Sequence, residues 1–200
     1  MATKNETKQI IQSFRTIKAY LENSSFDSST IPQEDTIPIK ELKEEYILYS
    51  ERNDEKIHIF YEIHKNTFSK KDLTTLISKI SDTIGKKDSI IIIVKEYTRD
   101  SIRNLLKNEF SQYYIQLFIL NQLQFNILEH SFVPKHIKLT PDEKKELFQK
   151  FNISKDKQLP QISQFDPVAC ALFLKPGEIC KIIRYDKLSL QNEYYRVCVP

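Results

Sequence analysis

The chain has 200 residues, 40% hydrophobic and 28% charged, with a formal net charge of +3. This is ordinary globular composition, long enough for one large or two small cored domains, and too mildly basic for a protein that grips nucleic acid tightly by itself. The only glycines, Gly85 and Gly177, cannot write GxGxxG or GxxxxGK[ST], so nucleotide chemistry on a glycine-rich phosphate loop is excluded.

Ile10, Ile11, Phe14, Ile17, Tyr20 and Leu21 form one helical stripe over Thr7 to Leu21, which the serine-rich Asn23 to Thr30 ends. A short second helix is expected at Ile39 to Tyr46, after Pro38. Ile57 to Ile63 alternates as a strand does. Ser69, with Asp72 three residues on, predicts a capped helix through Leu73, Leu76, Ile77 and Ile80, with Gly85 as its stop. Ser89 to Val94 is a β-branched run, the mark of a strand buried on both faces. The cationic loop Lys95 to Asp100 leads to a helix at Ser101 to Asn108, and strand-like runs follow at Tyr113 to Ile119 and Leu123 to Leu128. Strands alternating with helices predict an α/β domain with a mixed sheet over residues 1–128.

The remainder, residues 129–200, reads as a small α+β domain. Thr140, Pro141 and Glu143 make a capping box with proline at the first helical position, and Leu147, Phe148 and Phe151 supply the apolar edge. Asp166 before Pro167 repeats the start signal for Val168, Ala169 and Leu172. Lys175-Pro176-Gly177 is turn chemistry, and two β-like runs follow, Glu178 to Arg184 and Glu193 to Val199. Cys170, Cys180 and Cys198 fit no zinc spacing and read as small buried apolar residues. No apolar run, Ile90 to Val94 included, approaches the length of a bilayer span, and the N-terminus lacks a signal-peptide core; a soluble intracellular chain is expected.

Seven short motifs stand in order: EHxxVPKH (Glu129 to His136), TPDEKKEL (Thr140 to Leu147), QLPxI (Gln158 to Ile162), DPVA (Asp166 to Ala169), LKPGE (Leu174 to Glu178), KIIR (Lys181 to Arg184) and YR (Tyr195, Arg196). Together they resemble the assembly domain of the fifth subunit common to eukaryotic nuclear RNA polymerases I, II and III, a family with an archaeal branch. Ser13 to Leu21 and Pro32 to Tyr46 resemble the first two helices of the eukaryotic subunit. The archaeal relative lacks such an N-terminal part, so the chain is of the eukaryotic type. The resemblance implies a non-catalytic subunit without cofactor or metal, working in the nucleus or, for a large DNA virus, in a viral transcription compartment. It implies that residues 129–200 dock on the largest subunit, through His130, Pro134, His136, Asp166, Pro167, Gly177, Arg184, Tyr195 and Arg196. It further implies that residues 1–128 form a jaw beside downstream duplex DNA, touched weakly and without sequence preference at Thr98, Arg99 and Arg103.

Three departures from the family stand out. Its TPSA turn keeps Thr98 but has Arg99 for proline and Asp100 for serine; Cys170 to Phe173 puts Phe173 where a glycine is usual; and Lys187 to Gln191 rewrites the connection between the last strands. Two other readings stay open: a free-standing DNA-processing enzyme with a nuclease-like lobe, using Asp88 and Lys95-Glu96, or a polymerase-associated factor. His130 and His136 read as loop-holding groups ahead of metal ligands.

Overall fold

The computed structural model describes residues 4–29, 31–32, 37, 46–52, 55–81, 83–85, 88–186 and 190–200. They form two compact units, Met1–Phe125 and Asn126–Pro200. Ile127 and Leu128 belong to the second, because both pack against its core.

The first unit holds α1 (Lys4–Asn23), β1 (Tyr46–Arg52), β2 (Glu55–Glu62), α2 (Lys70–Ile80), β3 (Ser89–Val94), α3 (Arg99–Asn108) and β4 (Tyr114–Ile119). Its sheet runs β1-β2-β3-β4, with β1 antiparallel to β2 and the other pairs parallel, so it is mixed as expected. β3 is buried along its whole length, so both sheet faces are covered. The helix α1 covers one: Phe14 stacks on Tyr61 at 4.6 Å, and Tyr20 meets Phe118 at 6.2 Å. Register places Tyr61, Ile93 and Phe118 in one row on that face. The crossover helices α2 and α3, which contact each other, take the opposite face with Leu73, Leu76, Ile77, Ile102, Leu105 and Leu106 buried.

Several expectations are corrected here. The helix foreseen at Ile39 to Tyr46, and the resemblance over Pro32 to Tyr46, fall largely outside the described residues; Tyr46 itself opens β1. β2 alternates in sequence yet is buried on both faces from Ile57 to Glu62. Its polar His58 is accommodated by Asp88, whose Oδ2 lies 3.1 Å from His58 Nε2. Helix α2 starts on the expected Ser69–Asp72 box but stops at Ile80, where the Ser81 N–H closes on the Ile77 carbonyl. Gly85 instead donates its N–H to Asp88 at 2.8 Å, and an added Cβ would crowd that carboxylate. Helix α3 starts at Arg99, two residues earlier than expected, with Thr98 as N-cap.

Leu123 to Leu128 is not a strand: 3-10 turns span Leu120–Gln124 and Ile127–Glu129. Side-chain amides close them, Gln122 Oε1 accepting from Ile119 N at 3.1 Å and Asn126 Oδ1 from Leu128 N at 3.1 Å. Burial of Leu120 and Leu123 follows a period of three, and Thr16 Oγ1 on α1 donates to the Leu123 carbonyl at 2.8 Å.

The second unit holds β5 (Lys135–Lys138), α4 (Pro141–Lys150), β6 (Gln161–Ser163), α5 (Pro167–Ala171), β7 (Ile179–Asp186) and β8 (Leu190–Val199), in the sheet order β5-β7-β8-β6. Strands β5, β7 and β8 are antiparallel in turn, and β6 is parallel to β8. On one face Ile162, Cys180, Ile182 and Cys198 pack against Val168, Ala169 and Leu172 of the α5 segment; on the other Ile179 and Val197 pack with Leu147 and Phe148 of α4. Both expected caps form. Glu143 N donates to Thr140 Oγ1 while Thr140 N donates to the Glu143 carboxylate, and Asp166 Oδ1 accepts from Val168 N and Ala169 N. The short edge strands β5 and β6 were not foreseen, since three or four residues carry no readable period.

Helix ends in this glycine-poor chain use left-handed residues that are not glycine. Ser25, Asn152 and Phe173, at φ 60, 51 and 49, follow α1, α4 and α5. Each end closes with the paired bonds of a Schellman motif; at α5, Leu174 N donates to Ala169 O and Phe173 N to Cys170 O. Phe173 thus keeps the turn a glycine would make and buries its ring as well, with 3% of its surface exposed.

Candidate functional site

Two regions gather the candidate residues, one in each unit. In the first, β3 delivers the chain to α3 through Lys95, Glu96, Tyr97 and Thr98. This turn is pinned beside β2: Phe68 N donates to Glu96 O at 2.8 Å, and Phe68 bridges to Tyr97. Thr98 caps α3 by position, yet its hydroxyl accepts no N–H of the first turn. Amide groups at such a helix start favour anions. Thr98 and Arg99 are exposed and Arg103 is half-buried one turn on, whereas Lys95, the first cation of the loop, is taken up by Glu6 at 2.7 Å. Asp88 and Lys95-Glu96 do not form one site. They flank opposite ends of β3, six residues or roughly 20 Å of strand, and Asp88 is committed to His58 and to the Gly85 and Lys56 amides.

In the second unit, register sets His136, Ile182 and Tyr194 in a row across β5, β7 and β8. Arg184 lies two residues beyond Ile182 on β7 and Arg196 two beyond Tyr194 on β8, so strand alternation puts both on the same face. Arg184 sits over the Tyr194 ring at 4.9 Å. His136 Nδ1 lies 2.5 Å from the Pro134 carbonyl, which can only accept, so Nδ1 carries the proton. Burial holds this imidazole below the ordinary histidine value; the Pro134 carbonyl and Asp166 oppose the shift, and Arg184 and Arg196 add to it. The ring is therefore neutral at pH 7.

The other candidates are spread more widely. Tyr195 must face away from Arg196, and it sits on the α4 side, donating to Glu193 at 2.7 Å with Phe151 6.1 Å away. Burial and then the Glu193 carboxylate push its phenol up to about 12. Asp166 and Pro167 open α5. Gly177 takes φ 87 in its turn, and its carbonyl accepts from Lys144 at 2.8 Å. His130 is exposed, accepting Phe132 N at 3.2 Å, so each histidine is engaged by its own loop. Sequence reasoning named Tyr195 and missed Tyr194; strand parity with Arg184 and Arg196 was the signal that could have found it.

Comparison with known proteins places this unit. The unit is a small sheet with a proline-started helix on each face, and it carries the seven motifs. Residues 125–198 match the family described as RNA polymerase Rpb5, C-terminal domain, which bears out the resemblance read from the motifs. Over 109 residues the chain is 36% identical to proteins of Caenorhabditis briggsae and Caenorhabditis elegans, both named DNA-directed RNA polymerases I, II, and III subunit RPABC1. The match covers 54% of this chain and 51% of each relative, so the chain spans about half the length of the curated relatives it matches.

Proposed function

We propose that this chain is a non-catalytic, shared subunit of a DNA-directed RNA polymerase, acting in the nucleus. Its C-terminal unit docks on the largest subunit, and its N-terminal unit is a jaw along the downstream DNA channel. The observation that carries the reading is the match to the Rpb5 C-terminal domain, which falls on a folded unit with its own core on both sheet faces. His130, Pro134, His136, Asp166, Pro167, Gly177, Arg184, Tyr195 and Arg196 shape the docking domain. The DNA side is supported by the exposed start of α3, where uncapped amides and Arg99 suit a phosphate.

The test is capture of the full-length tagged chain from its source cells, with the co-purifying chains identified and counted by mass spectrometry. The two large polymerase subunits at one copy each per tagged chain are expected; their absence overturns the reading. Substoichiometric recovery would mark a polymerase-associated factor, and Mg²⁺-dependent cleavage of DNA by the purified chain a DNA-processing enzyme.

A further inference from the structure

The face of the second unit that carries α5 is covered only in part. The helix α5 has five residues and packs on Cys180, Ile182 and Cys198; Arg196 and Tyr194 lie beside Cys180 and Ile182 on β8, and Arg184 and Asn192 lie one row beyond. Neither Arg184 nor Arg196 meets a carboxylate among the described residues. Arg184 has the Tyr194 ring, and Arg196 has a 3.4 Å bond to the Gln161 carbonyl. Several lysines of the same unit do meet carboxylates: Lys138 pairs with Glu178, Lys144 with Asp156 and Lys181 with Glu193. The nearby Asp166 spends Oδ1 on two amides of α5, and the His136 ring on the neighbouring edge strand, whose charged form both arginines disfavour, is neutral. Two guanidiniums thus share one face, and guanidinium is the fork suited to bidentate carboxylate recognition. Tyrosine and arginine are also the side chains that anchor protein interfaces.

The geometry points to a docking site for an acidic segment of a protein partner on this open half-face, with Arg184 and Arg196 holding carboxylates on either side of Tyr194. The inference rests on the reading that this unit docks on the largest polymerase subunit, and it names the chemistry of the docked segment. Strand β8 pairs with β6 only from Val197 to Val199, so beside Arg196 its outer edge has no neighbouring strand among the described residues, leaving room for an extended chain. Protein carboxylates fit better than the bases of a nucleic acid, because Arg184 already occupies a face of the Tyr194 ring on which a base would stack.

The test uses the full-length tagged chain, the R184E/R196E and R184K/R196K variants, and a short single-stranded DNA as a probe. Thermal melting first checks that the variants fold. Charge reversal should cut capture of the largest polymerase subunit by about tenfold or more, since it sets like charges across an interface. Capture by the unaltered chain should fall with rising salt, and R184K/R196K should cross-link by carbodiimide from the substituted amines to Asp or Glu of that subunit. Equal capture by the reversed and unaltered chains, or no cross-link, overturns this proposal and leaves docking in place. Loss of DNA binding with capture intact overturns it in favour of a nucleic-acid face. An unaltered chain that captures no polymerase subunit defeats the underlying reading itself.

Discussion

Phe173 sets two opposing effects against each other at one position, and magnitudes decide between them. Its φ of 49 is a left-handed conformation that costs a side-chain-bearing residue about 1–2 kcal/mol relative to glycine. Its ring is 97% removed from solvent, and truncating a buried phenyl group costs about 3–5 kcal/mol. Burial wins. F173A keeps the backbone cost and loses the ring, so it should destabilise the second unit by about 3–5 kcal/mol. F173G loses the ring but relieves the backbone, and should be less damaging than F173A by about 1 kcal/mol, since alanine pays for positive φ and glycine does not. Urea unfolding followed by circular dichroism gives the energies, and hydrogen exchange in Ile179 to Ile183 assigns the transition to this unit. An F173G variant as stable as the unaltered chain would refute the burial argument. F173A matching or exceeding F173G would refute the assignment of backbone strain.

Asp166→Ala should cost about 1 kcal/mol by uncapping Val168 and Ala169, read as a lowered urea midpoint; an unchanged midpoint would leave the DPVA motif to partner contact alone. Burial alone would raise the Asp72 carboxyl, but bonds from Lys65 and Ser69 outweigh it and hold the group at about 2. Its stabilising effect is therefore full above the ordinary value of 3.8 and is lost as pH falls toward about 2, so thermal melts of the first unit should weaken across that window and Asp72→Asn should flatten the loss. The double change Arg99→Ala and Arg103→Ala should weaken polymerase–DNA complexes alike on any template, with the salt slope shallower by about one for each lost phosphate contact. Unaltered slopes would place α3's start in solvent. Assembly should survive that change.

Much of this molecule was legible from residues a few positions apart. The boxes Ser69–Asp72 and Thr140–Glu143, the Asp166 cap and the doubly buried run Ser89 to Val94 all rest on bonds or burial set by neighbours along the chain. The motifs from Glu129 to Arg196 fall in the same class, which is why the resemblance could be read before any fold was in view. Tertiary structure decided the rest. Whether Leu123 to Leu128 extends or turns depends on α1, whose Thr16 reaches Leu123 across more than a hundred residues. β5 and β6 are strands only because β7 and β8 offer them an edge. His136, Arg184 and Arg196 come from three strands, and only pairing register brings them to one face while sending Tyr195 to the other. Spacing along the chain encodes caps and periods; which edges pair, and what a side chain then faces, is settled by contacts between segments that spacing does not specify.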